Sequence, residues 1–179
     1  MVSTLDIILD FVFRLVILLF LARFLLQASR ADFYNPVSQA VVKATNPVCK
    51  PLRAVLRSVG PFDLASIVVA WLVAVASIVV FLLLASAPLN PLSIIVGGLI
   101  KTLLVLTQFY KWSIIIIVIA SFVAQGSVHP ALQLLQQLVE PLLAPLRRIL
   151  PSLGPLDLSP MVVILLIFVF EDLLLRTAI

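Results

Sequence analysis

The pentapeptide GPFDL at residues 60–64 occurs again, as GPLDL, at residues 154–158. When residues 35–69 are aligned with residues 129–163 at this spacing of 94, without a gap, 14 of the 35 positions are identical. Leucine and valine pairs arise by chance in so apolar a chain. Nine identities are of other types and indicate a duplication: Pro36/Pro130, Gln39/Gln133, Pro47/Pro141, Pro51/Pro145, Arg53/Arg147, Ser58/Ser152, Gly60/Gly154, Pro61/Pro155 and Asp63/Asp157. The chain is therefore predicted to contain two copies of one unit.

The composition predicts a membrane protein. Hydrophobic residues make up 63% of the 179 residues, and the mean hydropathy is +1.28, whereas soluble proteins average about 45–50% apolar residues. The net charge of +4 is too small and too dispersed to indicate nucleic-acid binding, so it is first a signal of membrane topology. The sequence has a single cysteine, Cys49, and a single histidine, His129, which excludes an internal disulfide and a cluster of cysteine or histidine metal ligands.

The predicted fold class is an all-α membrane protein with four transmembrane helices in two parallel span–amphipathic helix–span repeats. Apolar runs predict spans at about residues 5–27, 65–86, 103–125 and 160–175. The run 92–125 would measure about 50 Å as one helix, against a hydrocarbon core of about 30 Å. It is therefore divided, and residues 87–102 are predicted to be a connection with a short interfacial piece. Repeat 1 then covers residues 1–86 and repeat 2 residues 103–179.

Each repeat carries a polar, proline-rich segment between its two spans. Asn-Pro pairs start helices because asparagine caps and proline fits the first helical position. They predict two short amphipathic helices at about 36–45 and 47–58, and an equivalent amphipathic segment at about 130–151. Basic side chains on these segments are expected to face anionic lipid headgroups or partners: Lys43, Lys50, Arg57 and Arg148. A re-entrant hairpin that lines a polar cavity is the alternative.

The topology follows from the repeat. Two spans per unit return the chain to its starting side, so both units have the same orientation and both proline-rich segments share one face. Those segments carry most of the basic residues, whereas the opposite face carries Asp6 and the neutral connection APLNP at 87–91. The positive-inside rule then predicts that the segments are cytoplasmic and that both termini lie on the outer side of the membrane.

The GPxDL copies are predicted to be turns. Gly-Pro ends the amphipathic helix, and the aspartate then caps the following span at the positive end of its dipole. The alternative adds an ion pair between that aspartate and an arginine of the amphipathic helix, which would lock the helix to the span. The residues concerned are Gly60, Pro61, Asp63 and Arg53 in repeat 1, and Gly154, Pro155, Asp157 and Arg147 in repeat 2.

Ionisable residues also interrupt the predicted spans, where they are costly and are usually paired or functional. Counted from the cytoplasmic ends of the helices, the ionisable residues of different spans lie at similar depths in the membrane. A polar cluster is therefore predicted in the outer half of the bundle, with Gln108 and Tyr110 nearby. Its members are Asp10, Arg14, Lys111, Glu171 and Asp172. One interpretation is a set of ion pairs that fix helix packing, or side chains that snorkel outward. The other is an ion or proton pathway.

The stretch DFYNPVSQAVVKATNPVCKPLRAVLRSVGPFDLAS (residues 32–66) and its echo PLLAPLRRILPSLGPLDLSPM (residues 141–161) closely resemble the YggT family of bacterial inner-membrane proteins. Related YlmG-type proteins occur in Gram-positive bacteria and plastids. The resemblance implies a small two-repeat protein of the bacterial inner membrane without a known enzymatic activity. In that membrane, the outer-side termini predicted from the positive-inside rule would be periplasmic. It also implies links to osmotic-stress tolerance in enteric bacteria, and to cell division, nucleoid distribution and cofactor assembly in relatives.

Two classes of function follow from the sequence. One is a scaffold or assembly factor whose basic helices bind anionic lipid or other membrane and division proteins. The other is a channel or transporter component that handles ions during osmotic adjustment and that would require a homo-oligomer. The sequence holds no nucleophile–base pair, phosphate-binding loop or dinucleotide fingerprint, so it predicts neither an enzyme nor a cofactor.

Overall fold

The computed structural model describes residues 3–56, 58–123, 129–149 and 157–177. Within these ranges the chain is helical and contains no β-strand, which confirms the all-α class. The six helices are α1 (Thr4–Ala28), α2 (Pro36–Leu52), α3 (Leu64–Leu84), α4 (Pro91–Val123), α5 (Pro130–Ile149) and α6 (Ser159–Thr177). An isolated bridge between Val59 and Phe62 closes the turn at Gly60-Pro61, where Gly60 has φ +58°.

The proline-rich segment of repeat 1 forms one helix, so the prediction of two short helices is wrong. Asn35 caps α2 by accepting a hydrogen bond from the Val37 N–H, and the helix then continues through Pro47 and Pro51. Each proline removes one backbone donor, but the two lie four residues apart on the exposed side, where the freed carbonyl groups are not enclosed by protein. The predicted end at residue 58 is also wrong, because α2 ends at Leu52.

The second segment follows the same design, with Pro141 and Pro145 inside α5 and both exposed. At its start, His129 Nδ1 accepts a hydrogen bond from the Ala131 N–H, as Asn35 does in α2. The predicted end of this segment, at residue 151, lies outside the described residues.

The third apolar run is one continuous helix, α4, so its predicted division near residue 102 is wrong. Asn90 Oδ1 accepts hydrogen bonds from the backbone N–H groups of Leu92 and Ser93, which starts the helix directly after the connection. Gly97 and Gly98 do not break it, because they face α3 at a close approach between the two helices. A helix longer than the hydrocarbon thickness is accommodated by tilting or by extending beyond it.

Helix packing repeats between the two halves of the chain. In the first half α1 contacts α2 and α3, and in the second half α4 contacts α5 and α6. The halves join through α3 and α4, through α1 and α4, and through α2 and α5. Asn35 Nδ2 donates to the Pro130 carbonyl at 2.7 Å, and the Asp32 N–H donates to Gln137 Oε1 at 2.8 Å. These two bonds hold the amphipathic helices side by side.

Two helices are long and apolar enough to cross a membrane, over Leu64–Leu84 and Pro91–Ser121. They indicate that the protein associates with a membrane. Helices α1 and α6 are not among them, and both carry acidic and basic residues along their length.

The approach of α3 to α4 is tightest at Gly98. A Cβ atom added there would lie 2.4 Å from Val75 Cγ2 and 3.2 Å from the Val75 backbone nitrogen. At Gly97 the nearest atom is the flexible tip of Ile78, Cδ1, at 3.1 Å.

We therefore expect Gly98→Ala to lower the free energy of unfolding by about 1–3 kcal/mol, because a methyl group there forces α3 and α4 apart. Gly97→Ala is the matched control. Ile78 can move aside, and alanine favours a helix by up to about 1 kcal/mol over glycine. Thermal unfolding of both variants in a mild detergent measures the difference. Equal loss of stability in the two variants would contradict the close approach at Gly98.

Candidate functional site

The aspartate of the first GPxDL copy is the centre of a buried charged cluster. Asp63 is fully buried just before α3 and lies between two arginines. Arg23 Nε donates to Asp63 Oδ2 at 3.3 Å, and Arg53 Nε donates to Asp63 Oδ1 at 3.2 Å. The Ser66 hydroxyl donates to Oδ2 as well. A single carboxylate therefore joins α1, the end of α2 and the start of α3.

Arg23 adds further bonds between α1 and α2. Its Nη1 group donates to the Val42 carbonyl at 3.1 Å, to Thr45 Oγ1 at 2.7 Å and to Asn46 Oδ1 at 2.9 Å. The Arg23 side chain is only 4% exposed. A buried guanidinium needs this many partners because an uncompensated charge inside a protein is costly.

The cluster holds Asp63 in its ionised form. Burial alone would raise the pKa of Asp63, but hydrogen bonds from Arg53, Ser66 and Arg23 outweigh burial and lower that pKa below its usual value. The hydrogen bond to Asp63 raises the pKa of Arg53 in turn. The Asp63–Arg53 ion pair that the sequence left as an alternative is thus present, at 2.5 Å between Arg53 Nη2 and Asp63 Oδ2.

Two features of this cluster differ from the sequence analysis. Asp63 occupies the N-cap position of α3, but its side chain makes no capping hydrogen bond, since both oxygens face the arginines and Ser66. Arg23 was missed altogether. The available signal was an arginine inside the predicted span 5–27, but its partner Asp63 lies 40 residues further along the chain.

The second GPxDL copy makes the same pair on the surface. Arg147 Nε donates to Asp157 Oδ2 at 2.7 Å, and both side chains are more than 40% exposed. Asp157 also caps α6, accepting from the Ser159 N–H at 2.9 Å. Arg147 forms a second ion pair with Glu140, which occupies the position of Asn46 in the repeat. Gly154 and Pro155 lie outside the described residues.

In this exposed pair, the pKa of the aspartate and the pKa of the arginine shift in the same directions as in repeat 1. The slight burial of Asp157 would raise its pKa, but hydrogen bonds from Arg147 and Ser159 lower it overall. The hydrogen bond to Asp157 raises the pKa of Arg147. In the preceding helix a four-residue difference in loop length aligns Ala22, Phe24 and Gln27 with Ala120, Phe122 and Gln125. This alignment puts Ser121 opposite Arg23, so the second copy has no arginine at that position.

The predicted intramembrane cluster consists of two neighbouring ion-pair groups. In the first, Asp10 binds Arg14 and also Lys101, whose Nζ lies 3.0 Å from Asp10 Oδ1, and Arg14 donates to Gln108 Oε1 at 3.1 Å. In the second, Lys111 Nζ lies 2.6 Å from Glu171 Oε2.

Three residues of this region stand apart from the prediction. Thr107, which the sequence analysis missed, donates to Glu171 Oε1 at 3.0 Å. Asp172 does not join either group, because it faces outward and pairs with Arg176. The sequence analysis placed Lys101 in the short interfacial piece. Because α4 is continuous, Lys101 instead lies within a long helix beside α1, where its Nζ group pairs with Asp10.

A cavity of about 380 Å³ lies between the two groups. Its charged and polar lining comprises Asp10, Arg14, Lys101, Gln108 and Glu171. The two groups therefore share one polar space among otherwise apolar helices.

The predicted lipid-facing basic residues lie on the outer surface of the amphipathic helices. Lys43 and Lys50 are exposed on α2, and Arg148 is exposed on α5. Arg57 lies outside the described residues. In the described ranges, histidine, cysteine and acidic side chains form no group of three that could hold a metal ion.

Comparison with known sequences identifies the family. The CCB3/YggT family model matches the chain twice, over residues 2–84 and 96–178. The chain belongs to the CCB3/YggT family. The two matches are 94 residues apart at both ends, which is the spacing of the two GPxDL motifs.

Relatives of this CCB3/YggT chain cover most of its length. Escherichia coli K12 YggT is 38% identical over 170 residues, which are 94% of this chain and 88% of the relative. A Pseudomonas aeruginosa protein is 39% identical over 171 residues, 90% of this chain and 83% of the relative. A Vibrio alginolyticus protein is 43% identical over 152 residues, 84% and 82% of the two chains. No solved structure matches the chain.

The duplicated pair of this CCB3/YggT protein supplies its own control for a stability measurement. We expect Asp63→Asn to lower the free energy of unfolding by about 3–5 kcal/mol, because the change leaves Arg23 buried without its carboxylate. Asp157→Asn should cost less than about 1 kcal/mol, since an exposed pair contributes little and asparagine still caps a helix. Thermal unfolding in detergent compares the variants. Similar losses in both would contradict a special role for the buried copy.

Proposed function

We propose that the protein is a non-enzymatic scaffold or assembly factor of the bacterial inner membrane. The observation that carries this proposal is the surface formed by α2 and α5, which are bonded to each other through Asn35 and Asp32. Each of these helices is also tied to the start of the next helix by an arginine–aspartate pair. A surface fixed in this way presents Lys43, Lys50 and Arg148 in constant positions, as a docking platform requires.

The proposal places four helices across the membrane: α1, α3, α4 and α6. The charges of α1 and α6 oppose this at first sight, but Asp10, Arg14, Arg23 and Glu171 all pair with residues of this chain. Asp172 and Arg176 face outward in the last two turns of α6, where they pair with each other. Large apolar side chains are exposed along the outer faces of the same two helices, among them Phe11, Leu15, Leu165 and Phe168. Paired charges within and apolar side chains outside suit helices that contact lipid.

With four spans, α2 and α5 lie on the cytoplasmic side and both termini in the periplasm. The charges of α2 and α5 favour helices at the interface over a re-entrant hairpin, because a deep position would bury several basic groups. Their basic side chains would bind anionic headgroups or acidic surfaces of other membrane or division proteins. The family resemblance points to osmotic-stress tolerance or to cell-envelope and division processes as the setting.

The cavity between the intramembrane ion pairs favours a second candidate, an ion-handling component. Its lining holds both signs of charge together with Gln108, and such groups inside a membrane mark ion or proton pathways. Four helices leave no room for a central pore within one chain. This alternative therefore needs a homo-oligomer.

Ion flux through liposomes that contain only the purified protein separates the two candidates. We expect no flux of potassium ions or protons above that of empty liposomes, because every charge lining the cavity has a partner of opposite sign. Flux that Arg14→Gln or Glu171→Gln abolishes, while Lys50→Gln leaves it intact, would replace the scaffold by the ion-handling component.

The docking surface is tested by site-specific photocrosslinking in bacterial cells, where other membrane proteins are present. A photoreactive residue at Lys50 is expected to trap one defined partner, and the yield should fall when Lys43 and Arg148 are changed to glutamine. A photoreactive residue at Leu89, exposed in the connection between α3 and α4, is the matched control and should trap nothing. Identical products from both positions would contradict a platform on α2 and α5.

A further inference from the structure

A cavity of about 540 Å³ lies between the end of α1, the loop that follows it and α2. Three arginines border it: Arg23, Arg30 and Arg53. Its lining among the described residues includes no carboxylate, because Asp63 lies behind two of these arginines and does not reach the cavity. A concave surface lined by one sign of charge concentrates the electrostatic potential. This space therefore attracts an anion.

Donor groups remain free around this cavity. The hydrogen bonds that Arg23 makes to described residues use its Nε and Nη1 groups, which leaves its Nη2 group to donate to a ligand. The hydrogen bonds that Arg53 makes to described residues use its Nε and Nη2 groups, which leaves its Nη1 group to donate. Arg30 is exposed, and it forms no ion pair with any residue in the described ranges. A guanidinium offers five N–H donors, so each arginine keeps some for a ligand.

Ser38 supplies an independent observation. Its side chain lines the same cavity, is 1% exposed, and its Oγ is the one buried side-chain oxygen or nitrogen in the described residues without a hydrogen-bond partner. A buried hydroxyl without a partner is unfavourable. A ligand with oxygen acceptors in the cavity would satisfy it.

We propose that this cavity binds a phosphate group, either that of an anionic lipid headgroup or that of a soluble phosphate. Planar guanidinium groups pair with phosphate oxygens through parallel N–H···O bonds, and the Ser38 hydroxyl adds a neutral donor. The volume lies within the usual range for small-ligand sites. The site is independent of the scaffold role, because it belongs to repeat 1 alone and needs no protein partner.

The second repeat keeps the equivalent of Arg53, which is Arg147, but not those of Arg23 and Ser38. Ser121 occupies the position of Arg23, and Leu132 that of Ser38. Arg176 of α6 is an exposed arginine outside both the cavity and the surface of α2 and α5, so its loss removes one positive charge from the protein without touching the proposed site.

Thermal unfolding of the full chain in a neutral detergent tests the proposal, because a ligand that binds the folded state raises the unfolding temperature. One arm titrates inorganic phosphate against chloride at constant ionic strength. The other adds short-chain phosphatidylglycerol, with phosphatidylcholine as the zwitterionic comparison. Arg30→Gln is expected to weaken the apparent affinity about ten-fold, as the loss of a charged hydrogen-bond donor should. Ser38→Ala should weaken it several-fold without destabilising the unliganded protein, and Arg176→Gln should leave it unchanged.

The two arms separate the sources of the phosphate group. If inorganic phosphate raises the unfolding temperature and phosphatidylglycerol does not, the site binds a soluble phosphate. Stabilisation by phosphatidylglycerol and not by phosphatidylcholine assigns it to a lipid headgroup. The proposal is overturned if neither probe raises the unfolding temperature, or if Arg176→Gln weakens the response as much as Arg30→Gln. Neither result bears on the docking surface of α2 and α5, which is tested separately by crosslinking.

Discussion

The structure depends on one constraint, that charges inside an apolar helix bundle must be paired. Asp63 satisfies it for two arginines at once, and in doing so joins α1, α2 and α3 at one point. The same constraint brings Lys101 of α4 to Asp10 of α1, and Glu171 of α6 to Lys111 of α4. Because a single unpaired charge in such a place is costly, each pair fixes the relative position of the helices that supply it.

The two repeats use one motif for different purposes. In repeat 1 the GPxDL aspartate is enclosed and serves as a structural anchor, whereas in repeat 2 Asp157 is exposed, caps α6 and shares its arginine with Glu140. One position that differs is Arg23 in the first copy and Ser121 in the second. In the described residues, the GPxDL aspartate is buried between two arginines in repeat 1 and paired on the surface with one arginine in repeat 2.

Much of this organisation could be predicted from the sequence, because it depends on local signals and on self-similarity. Residue types within each repeat, and their recurrence in the other, predict three features. These are the 94-residue spacing, the Asn-Pro start of α2 and the proximity of Arg53 to Asp63. The continuity of α4 could not be predicted, because Gly97 and Gly98 break helices by propensity and are retained here for packing against α3. The roles of Arg23 and Lys101 depend on partners 40 and 91 residues away, which no local pattern reveals.

In the proposed four-span arrangement, internal pairing of charges allows α1 and α6 to span the membrane alongside α3 and α4. Fusion of alkaline phosphatase or of green fluorescent protein to the carboxyl terminus tests it most directly, since the phosphatase is active only after export and the fluorescent protein only in the cytoplasm. Fusions truncated after Asn90 serve as the control, because the proposed orientation puts that connection in the periplasm with either two or four spans. Four spans predict an active phosphatase and no fluorescence at the carboxyl terminus. Fluorescence there, with an inactive phosphatase, would contradict the account.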